Sequence, residues 1–277
     1  MSESPRPESS EPRDVVLCAD DFGISPGVNR AILDLLEKRR LSAVSCMSVF
    51  PEFAADATRL RGHAEHASLG LHLTLTHERS LGAVMRDAYA GRIDRAAMAR
   101  EVERQMSLFG AATNRQPDFI DGHQHVHALP GIREAVVETA VRFGIPVRVL
   151  TAPSIAQLVS LPAAGKSLGL SVMGRWLSRR AQAHGVAANA EFRGVRSFTE
   201  PEPYRALFVR LIKGAPNRCL VMCHPGLPDD VLAARDGIQA QRRGEYGYLA
   251  SDEFPLDLAA AGLRLARIRL QATVAAA

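Results

Sequence analysis

The chain has 277 residues, of which 47% are hydrophobic and 23% charged, a balance typical of globular proteins. This composition excludes disordered, collagen-like and disulfide-scaffold proteins. A net charge of +4 on a 30.0 kDa chain produces only a weak electrostatic field, and only 5% of the residues are aromatic. No nucleic-acid partner is therefore expected.

The two ends differ in composition from the rest. Residues 1–13 (MSESPRPESSEPR) lack the apolar core of a secretory signal and predict a disordered tail, and the Ala-rich residues 271–277 predict a frayed end. Residues 14–270 between them predict a single domain. No apolar run approaches the ~20 residues that span a bilayer, so stable membrane insertion is not expected. The four cysteines form no CxxC pair, which predicts buried thiols in a reducing, cytoplasmic compartment.

Short β-branched runs alternate with helical patterns along the chain. The first run, Val15–Ala19, leads into a helix that Ser25 caps and Pro26 opens. A long helix is predicted over Arg95–Phe109. The other strand-like runs of the chain lie at Ala43–Val49, Leu69–Leu75, Phe119–His127, Val147–Leu150, Cys219–Cys223 and Arg264–Arg269. Strands separated by helices predict βα units, a parallel sheet and an α/β fold, a (β/α) barrel that is complete or incomplete. Residues 152–193 predict a helical insertion.

Two adjacent carboxylates, Asp20 and Asp21, follow the first strand directly. In an extended chain they would point to opposite faces, but a strand end that turns toward Gly23 lets both approach one site. One could then bind a metal ion while the other takes a proton from water. The alternative is a plain Asp-rich turn.

Histidines gather at the ends of predicted strands, where parallel α/β folds form their sites. His72 lies in the segment GLHLTL and is a suitable metal ligand, although a lone histidine in an apolar strand is more often a core residue. His224 follows the run Cys219–Cys223 and is held by Pro225 and Gly226. It can therefore present its ring to a pocket.

The strongest signal is the segment DGHQHVH. Since side chains alternate along a strand, Asp121, His123, His125 and His127 are predicted to line one face. Three imidazoles and a carboxylate are costly to bury together unless they bind a metal ion or orient its ligands. One carboxylate and two histidines, with a position left for water, form a hydrolytic metal centre.

These segments resemble the YdjC/ChbG-like carbohydrate deacetylase family (ChbG/HpnK type). The matching motifs appear in the family's order and at similar spacing: ADDFG (Ala19–Gly23), Ser25 with Gly27 and Asn29, GLHLTL (Gly70–Leu75), DGHQHVH (Asp121–His127) and CHPG (Cys223–Gly226). The resemblance implies a distorted, TIM-like (β/α) barrel. It also implies metal-dependent removal of the acetyl group from an N-acetylated amino sugar, an oligosaccharide or a glycolipid head group. Position 122 departs from the family, with Gly where Ser is frequent, and residues 152–193 match no family segment.

The resemblance also implies a role for each matching residue. Asp21, His72 and His123 would hold the metal. Asp20 would be the general base and His224 the general acid. The remaining positions would orient the site or contact the substrate: Asp121, His125, His127 and Arg148.

We expect one divalent ion, an N-acetylated sugar as substrate, and a homodimer. The donors suit Zn²⁺ and accommodate Mn²⁺, Fe²⁺, Co²⁺ or Ni²⁺, and the family resemblance keeps Mg²⁺ as an expectation. Two rival functions are a metal-dependent phosphoesterase and an inactive sugar-binding barrel. The phosphoesterase would need a second metal and more basic residues at the strand ends, and the inactive barrel would lack a motif residue.

Overall fold

The computed structural model describes residues 11–151, 164–196 and 203–268. Its strands are β1 (Arg13–Phe22), β2 (Ala43–Cys46), β3 (Ser68–Leu73), β4 (Ile120–Gly122), β5 (Phe192–Arg193), β6 (Cys219–Cys223) and β7 (Leu263–Leu265). Its helices are α1 (Pro26–Glu37), α2 (Pro51–Arg61), α3 (Leu81–Tyr89), α4 (Arg95–Thr113), α5 (Ile132–Phe143), α6 (Ala164–Ala183), α7 (Tyr204–Ile212), α8 (Asp230–Arg235), α9 (Ala240–Leu249) and α10 (Glu253–Ala260). Across the described ranges, no helix is both long and apolar enough to cross a membrane.

The strands form one parallel sheet in the order β4-β3-β2-β1-β6-β5, with β7 paired to the first residues of β1. Beyond β4, isolated parallel bridges join Ile120 to Val147 and Val147 to Ala188. The Phe192 N–H then donates to the Thr151 carbonyl at 2.8 Å. The sheet therefore curls back on itself, and the predicted α/β fold with a distorted (β/α) barrel is confirmed.

The core lies on both faces of the sheet. Along β1, Val15 and Leu17 pack into one buried apolar cluster, while Val16 and Cys18 pack into another. This explains why the strands show continuous apolar runs rather than alternation. All four cysteines are free and buried, which confirms that part of the prediction.

Most element predictions are close to the structure. β6 has the predicted bounds, and α4 runs four residues past the predicted end. Ser25 caps α1 by accepting the Val28 N–H at 3.2 Å. The predicted strand Val147–Leu150 contributes only isolated bridges at Val147, and the two-residue β5 was not predicted.

The division of the chain into tail, domain and insertion stays a prediction. β1 already begins at Arg13, inside the predicted tail, while residues 1–10 and 269–277 lie outside the described residues. The predicted insertion contains α6, and its residues 152–163 also lie outside the described part.

Candidate active site

A cavity of about 440 Å³ lies at the carboxyl ends of β1, β3, β4 and β6. It brings together six of the nine residues predicted for the site, namely Asp20, Asp21, His72, His123, His125 and His224. The other three do not line it. Asp121, His127 and Arg148 are buried beside it.

A sharp turn at the end of β1 places both aspartates at the cavity. Asp21 adopts a φ of 71°, a left-handed conformation that is uncommon for a residue with a side chain. The side chain of Asn29 accepts the Gly23 N–H at 2.7 Å and holds the turn. Gly23 itself has a φ of 102°, and a Cβ there would lie 2.9 Å from the Met47 carbonyl oxygen. The turn therefore requires glycine.

Three predicted ligands meet in one group. Oδ1 of Asp21 lies 3.2 Å from Nε2 of His72 and 2.9 Å from Nδ1 of His123. The donor atoms of all three residues lie within 4.8 Å of one another. One carboxylate and two imidazoles at this spacing fit a first-row divalent cation.

The surroundings of His72 suit a metal ligand. Its Nδ1 lies 2.6 Å from Oδ1 of Asp121, which leaves Nε2 directed at Asp21, and the Ser45 hydroxyl also contacts Nδ1 at 3.0 Å. This is how a carboxylate orients a metal-binding histidine. Burial alone would lower the pKa of His72, but the carboxylates of Asp121 and Asp20 outweigh it and raise that pKa to about 10. The site therefore concentrates negative charge and favours a cation.

Arg148 is fully buried between two of the carboxylates. Its two terminal nitrogens each lie 2.8 Å from one oxygen of Asp20, and its Nε lies 3.1 Å from Oδ2 of Asp121. Of the two roles expected for Arg148, the geometry supports orienting Asp20, because its side chain is 0% exposed and cannot contact a substrate.

The prediction that Asp121, His123, His125 and His127 share one strand face is wrong. β4 ends at Gly122, and His123–Ala128 form a 3₁₀ turn in which Gln124 and His125 have φ values of 52° and 61°. A Cβ at position 122 would lie 3.1 Å from the His127 side chain, so the turn packs closely on the end of β4.

The turn sends the three histidines to different places. His123 reaches Asp21, and His125 lines the cavity with its ring 5.7 Å from that of Phe192. His127 is buried and donates from Nε2 to the Arg148 carbonyl at 3.0 Å. Burial lowers the pKa of His125 well below its usual range, and burial also lowers the pKa of His127, to about 4, against the opposing charge of Asp121.

His224 lines the cavity opposite the turn, just after β6. Its backbone N–H donates to Oε2 of Glu245 at 2.5 Å, and Oε1 of Glu245 accepts from Arg196 at 3.0 Å. Burial lowers the pKa of His224 to about 4 despite the nearby Asp21 and Asp20. Burial also raises the pKa of Glu245 to about 7.

The sequence reasoning missed two charged residues on α9. Arg242 contacts Oδ2 of Asp21 at 2.5 Å and Oδ2 of Asp236 at 2.6 Å, and Glu245 holds His224. Residues 241–246 of α9, QRRGEY, show no apolar stripe around Arg242 and Glu245. A buried Arg and Glu three residues apart are indistinguishable there from an exposed ion pair, so no sequence signal marked them.

Much of the cavity lining is aliphatic. Its apolar residues are Leu81, Met85, Leu129, Leu170, Met173, Val195, Met222 and Ile238. None of the residues that line the cavity in the described ranges is a Phe, Tyr or Trp. The cavity therefore combines charged side chains with an aliphatic lining.

These features define an α/β barrel protein with a candidate metal centre at the carboxyl ends of its strands. The model of the family described as YdjC-like protein matches residues 14–260. The chain therefore belongs to this family, which confirms the resemblance seen in its motifs.

Known proteins are similar over nearly the whole chain. A chitooligosaccharide deacetylase of Yersinia pestis bv. Antiqua (strain Angola) is 28% identical over 269 residues, 91% of this chain and 96% of the relative. One of Yersinia pseudotuberculosis serotype O:3 (strain YPIII) is 28% identical over 273 residues, with the same coverage. A solved structure from Enterococcus faecalis V583, provisionally named a cellobiose-phosphate cleavage protein, is 20% identical, with a TM-score of 0.66 over 93% of this chain and 98% of that chain. At this identity the structural likeness bears on the fold alone.

Proposed function

We propose that this chain is a metal-dependent hydrolase that removes the acetyl group from an N-acetylated amino sugar, giving acetate and a free amine. The observation that carries the proposal is the Asp21–His72–His123 donor group, which shares one cavity with Asp20 and His224. The family and its relatives named chitooligosaccharide deacetylases support the same reaction.

Asp21, His72 and His123 are the residues that would hold one divalent cation. Two imidazoles and a carboxylate favour Zn²⁺ over Mg²⁺, with Mn²⁺, Co²⁺ and Ni²⁺ also accommodated. When bound, such a cation supplies Lewis acidity toward a carbonyl and toward water. Asp121 and Ser45 fix the His72 ring, so the protein provides the orientation that a ligand histidine needs.

Asp20 and His224 are the proton carriers of the proposed reaction. Arg148 holds both oxygens of Asp20, so this carboxylate is fixed in direction as it accepts a proton from the attacking water. With a pKa of about 4, His224 is neutral at neutral pH, and once a proton reaches it the imidazolium is a stronger acid than that of an ordinary histidine. It can then protonate the leaving amine. Of the flanking histidines, His125 contacts the substrate, whereas His127 supports the Arg148 backbone.

The aliphatic lining of the cavity favours a substrate that carries an apolar part as well as the N-acetyl group. Long glycans are usually held by aromatic stacking, whereas the apolar residues that line this cavity are aliphatic. Among the two expected substrate classes, we therefore favour an amino sugar linked to an apolar group over a chitin fragment. The homodimer and the cytoplasmic location stay predictions, and a solution mass near 30.0 kDa would contradict the first.

Acetate release tests the proposed function. The chain is treated with a chelator, reloaded with Zn²⁺, Mg²⁺, Mn²⁺, Co²⁺ or Ni²⁺, and assayed on N-acetylglucosamine, di-N-acetylchitobiose and octyl N-acetylglucosaminide. We expect release only with metal and fastest from the octyl glycoside. D21A should lower it more than about 100-fold, because a ligand is lost, while D252A, at a side chain that is fully exposed, should match the wild type.

The rival phosphoesterase makes the opposite prediction in the same assay. Phosphate released from phosphate esters, with no acetate under any metal, would replace the deacetylase by that reaction. Oxygen and sulfur atoms of Cys18, Asp20 and Asp121 also cluster, but both carboxylates already hold the Arg148 guanidinium. That group is therefore a poor second cation site, which disfavours two-metal chemistry.

A further inference from the structure

Large apolar side chains are exposed on two of the helices that line the cavity. They are Met85 and Tyr89 of α3 together with Leu168, Val172 and Trp176 of α6, and each is between 38% and 60% exposed. These five side chains form the rim face. Apolar residues that are exposed singly are ordinary on a protein surface, whereas a group of them marks a surface that contacts a partner.

The rim face lies beside the cavity. The Tyr89 hydroxyl donates to Sδ of Met173 at 3.4 Å, which joins α3 to α6. Met85 belongs both to the rim face and to the cavity lining, and Gly169 and Met173 of α6 also line the cavity. The exposed apolar surface is therefore continuous with the aliphatic part of the cavity lining.

The exposed side of α6 is basic as well as apolar. It consists of Leu168, Val172, Arg175, Trp176 and Arg179, whose spacing places them on one side of the helix. The guanidinium carbons of Arg133 and Arg179 each lie 5.9 Å from the centre of the Trp176 ring. The sequence of α6 has four basic residues and no acidic one. Positive charge therefore accompanies the apolar side chains.

The opposite side of α6 is packed on the barrel. Leu177 and Ala181 are buried there. A Cβ at position 174 would lie 2.3 Å from the Leu150 carbonyl oxygen, so the helix approaches that segment closely at Gly174. Packing on this side fixes the orientation of the exposed side before any partner arrives, which lowers the cost of binding.

The charge of α6 favours a lipid surface over a second copy of the chain. In a symmetric dimer each copy presents the same patch to the other, so arginines of one α6 would face those of its partner and repel them. An anionic lipid surface attracts arginines instead. Trp and Tyr are enriched at the boundary between water and membrane, and apolar side chains next to basic ones are typical of helices that lie in that boundary.

We propose that the rim face docks this protein on the surface of a membrane that contains anionic lipids. Leu168, Val172 and Trp176 enter the head-group region, while Arg175 and Arg179 contact the lipid phosphates. The contact is peripheral and reversible, because a few side chains bury far less apolar area than a helix that spans the bilayer. Together with the proposed function, docking brings the cavity next to an amino sugar whose apolar part lies in the membrane.

The fluorescence of Trp176 tests the proposal directly, because the chain contains one tryptophan. The protein is titrated with vesicles of phosphatidylcholine that contain phosphatidylglycerol and, separately, with vesicles of phosphatidylcholine alone. We expect the emission of Trp176 to move to shorter wavelength with the anionic vesicles, because the ring leaves water. Co-sedimentation measures the binding constant, which should fall at high salt and with the neutral vesicles.

Two double variants separate the apolar part of the contact from the electrostatic part, and both keep Trp176 as the reporter. L168S/V172S should bind anionic vesicles at least about tenfold more weakly, because less apolar area leaves water. R175Q/R179Q should bind them about 30-fold more weakly, the contribution of two arginines close to an anionic surface. The second variant should also lose most of the salt dependence.

V209S/L256S is the matched control, since Val209 and Leu256 are also exposed but lie on α7 and α10, which contribute nothing to the cavity lining in the described ranges. It should bind vesicles like the wild type.

An unchanged Trp176 emission with anionic vesicles would overturn the proposal, and so would equal vesicle binding by L168S/V172S and the wild type. A dimer in solution that L168S/V172S converts to a monomer would assign the rim face to a second copy of the chain instead. Neither vesicle binding nor solution mass requires turnover. The failure of this proposal is therefore distinguishable from the failure of the proposed function, which the acetate assay tests.

Discussion

Two arginine clusters flank the end of β1, and each holds a guanidinium between two carboxylates. The inner cluster is Asp20, Arg148 and Asp121, and the outer cluster is Asp21, Arg242 and Asp236. In the inner cluster the charged side chains are 0–1% exposed and face one another. The outer cluster borders the cavity, and the side chain of Asp236 is 17% exposed.

The two clusters therefore have different tasks: the inner cluster orients side chains of the site, whereas the outer cluster borders the cavity itself. Charges removed from water are stabilised by opposite charges, and Arg148 forms ion pairs with both carboxylates of the inner cluster, which fixes Asp20 and, through Asp121, His72. In the outer cluster a single nitrogen of Arg242, Nη2, contacts both carboxylates beside the donor group. Asp20 and Asp21 are neighbours in sequence, yet the turn at Asp21, with its φ of 71°, assigns them to different clusters.

Replacing each arginine by methionine should break the two clusters to different extents. R148M leaves Asp20 and Asp121 buried without a counter-charge, so the free energy of unfolding should fall by about 3–5 kcal/mol. R242M leaves its carboxylates next to the cavity, where water can reach them, and should cost only about 1–3 kcal/mol. Urea unfolding of the metal-free proteins at pH 7 measures both values. Equal losses would contradict the distinction between the clusters.

The acid sensitivity of the fold should depend on His127, which supports the inner cluster. Its pKa of about 4 lies below the ordinary 6.5, so the unfolded chain binds a proton that the folded protein does not. Stability present above about pH 6.5 is therefore lost as the pH falls toward 4. In H127Q the glutamine amide keeps a donor for the Arg148 carbonyl and does not titrate. Between pH 6.5 and pH 4 the unfolding free energy of H127Q should therefore fall by about 1–3 kcal/mol less than that of the wild type.

Unfolding measured from pH 7 to pH 4 tests this expectation. H184Q is the control, because His184 is exposed and its replacement should leave the pH profile parallel to that of the wild type. Parallel profiles for H127Q and the wild type would show that His127 carries none of the acid sensitivity.

The sequence predicted the strands and helices more completely than the arrangement of the site residues. The alternation of apolar runs with helical stripes predicted the parallel sheet, because strands buried on both faces must be apolar throughout. Strand ends then marked Asp20, Asp21, His72 and His224. These positions follow from the chain's local pattern alone.

Where the prediction was wrong, the cause was local backbone geometry. The prediction assumed a strand through the whole segment DGHQHVH. In the structure the strand ends at Gly122, and residues 124 and 125 adopt left-handed backbone angles. Arg242 could not be predicted, because its partner Asp21 lies 221 residues away and nothing in the polar sequence of α9 marks a buried face. The pairing of His72 with Asp121 also depends on the register of β3 and β4, which the sequence does not specify.

The smallest expected effect concerns Ser45, which joins the inner cluster to the donor group. Its hydroxyl lies 3.0 Å from Nδ1 of His72 and donates to Oδ1 of Asp121 at 2.5 Å. S45A removes one support of the ring but leaves the His72–Asp121 contact, so Zn²⁺ affinity should fall by about tenfold or less. S48A is the matched control, because Ser48 is also buried but bonds the Gln105 carbonyl. Chelator competition should show weaker Zn²⁺ binding in S45A alone. Equal losses of Zn²⁺ affinity in S45A and S48A would indicate a general loosening of the segment around the end of β2. The Ser45 hydroxyl would then have no specific part in orienting His72.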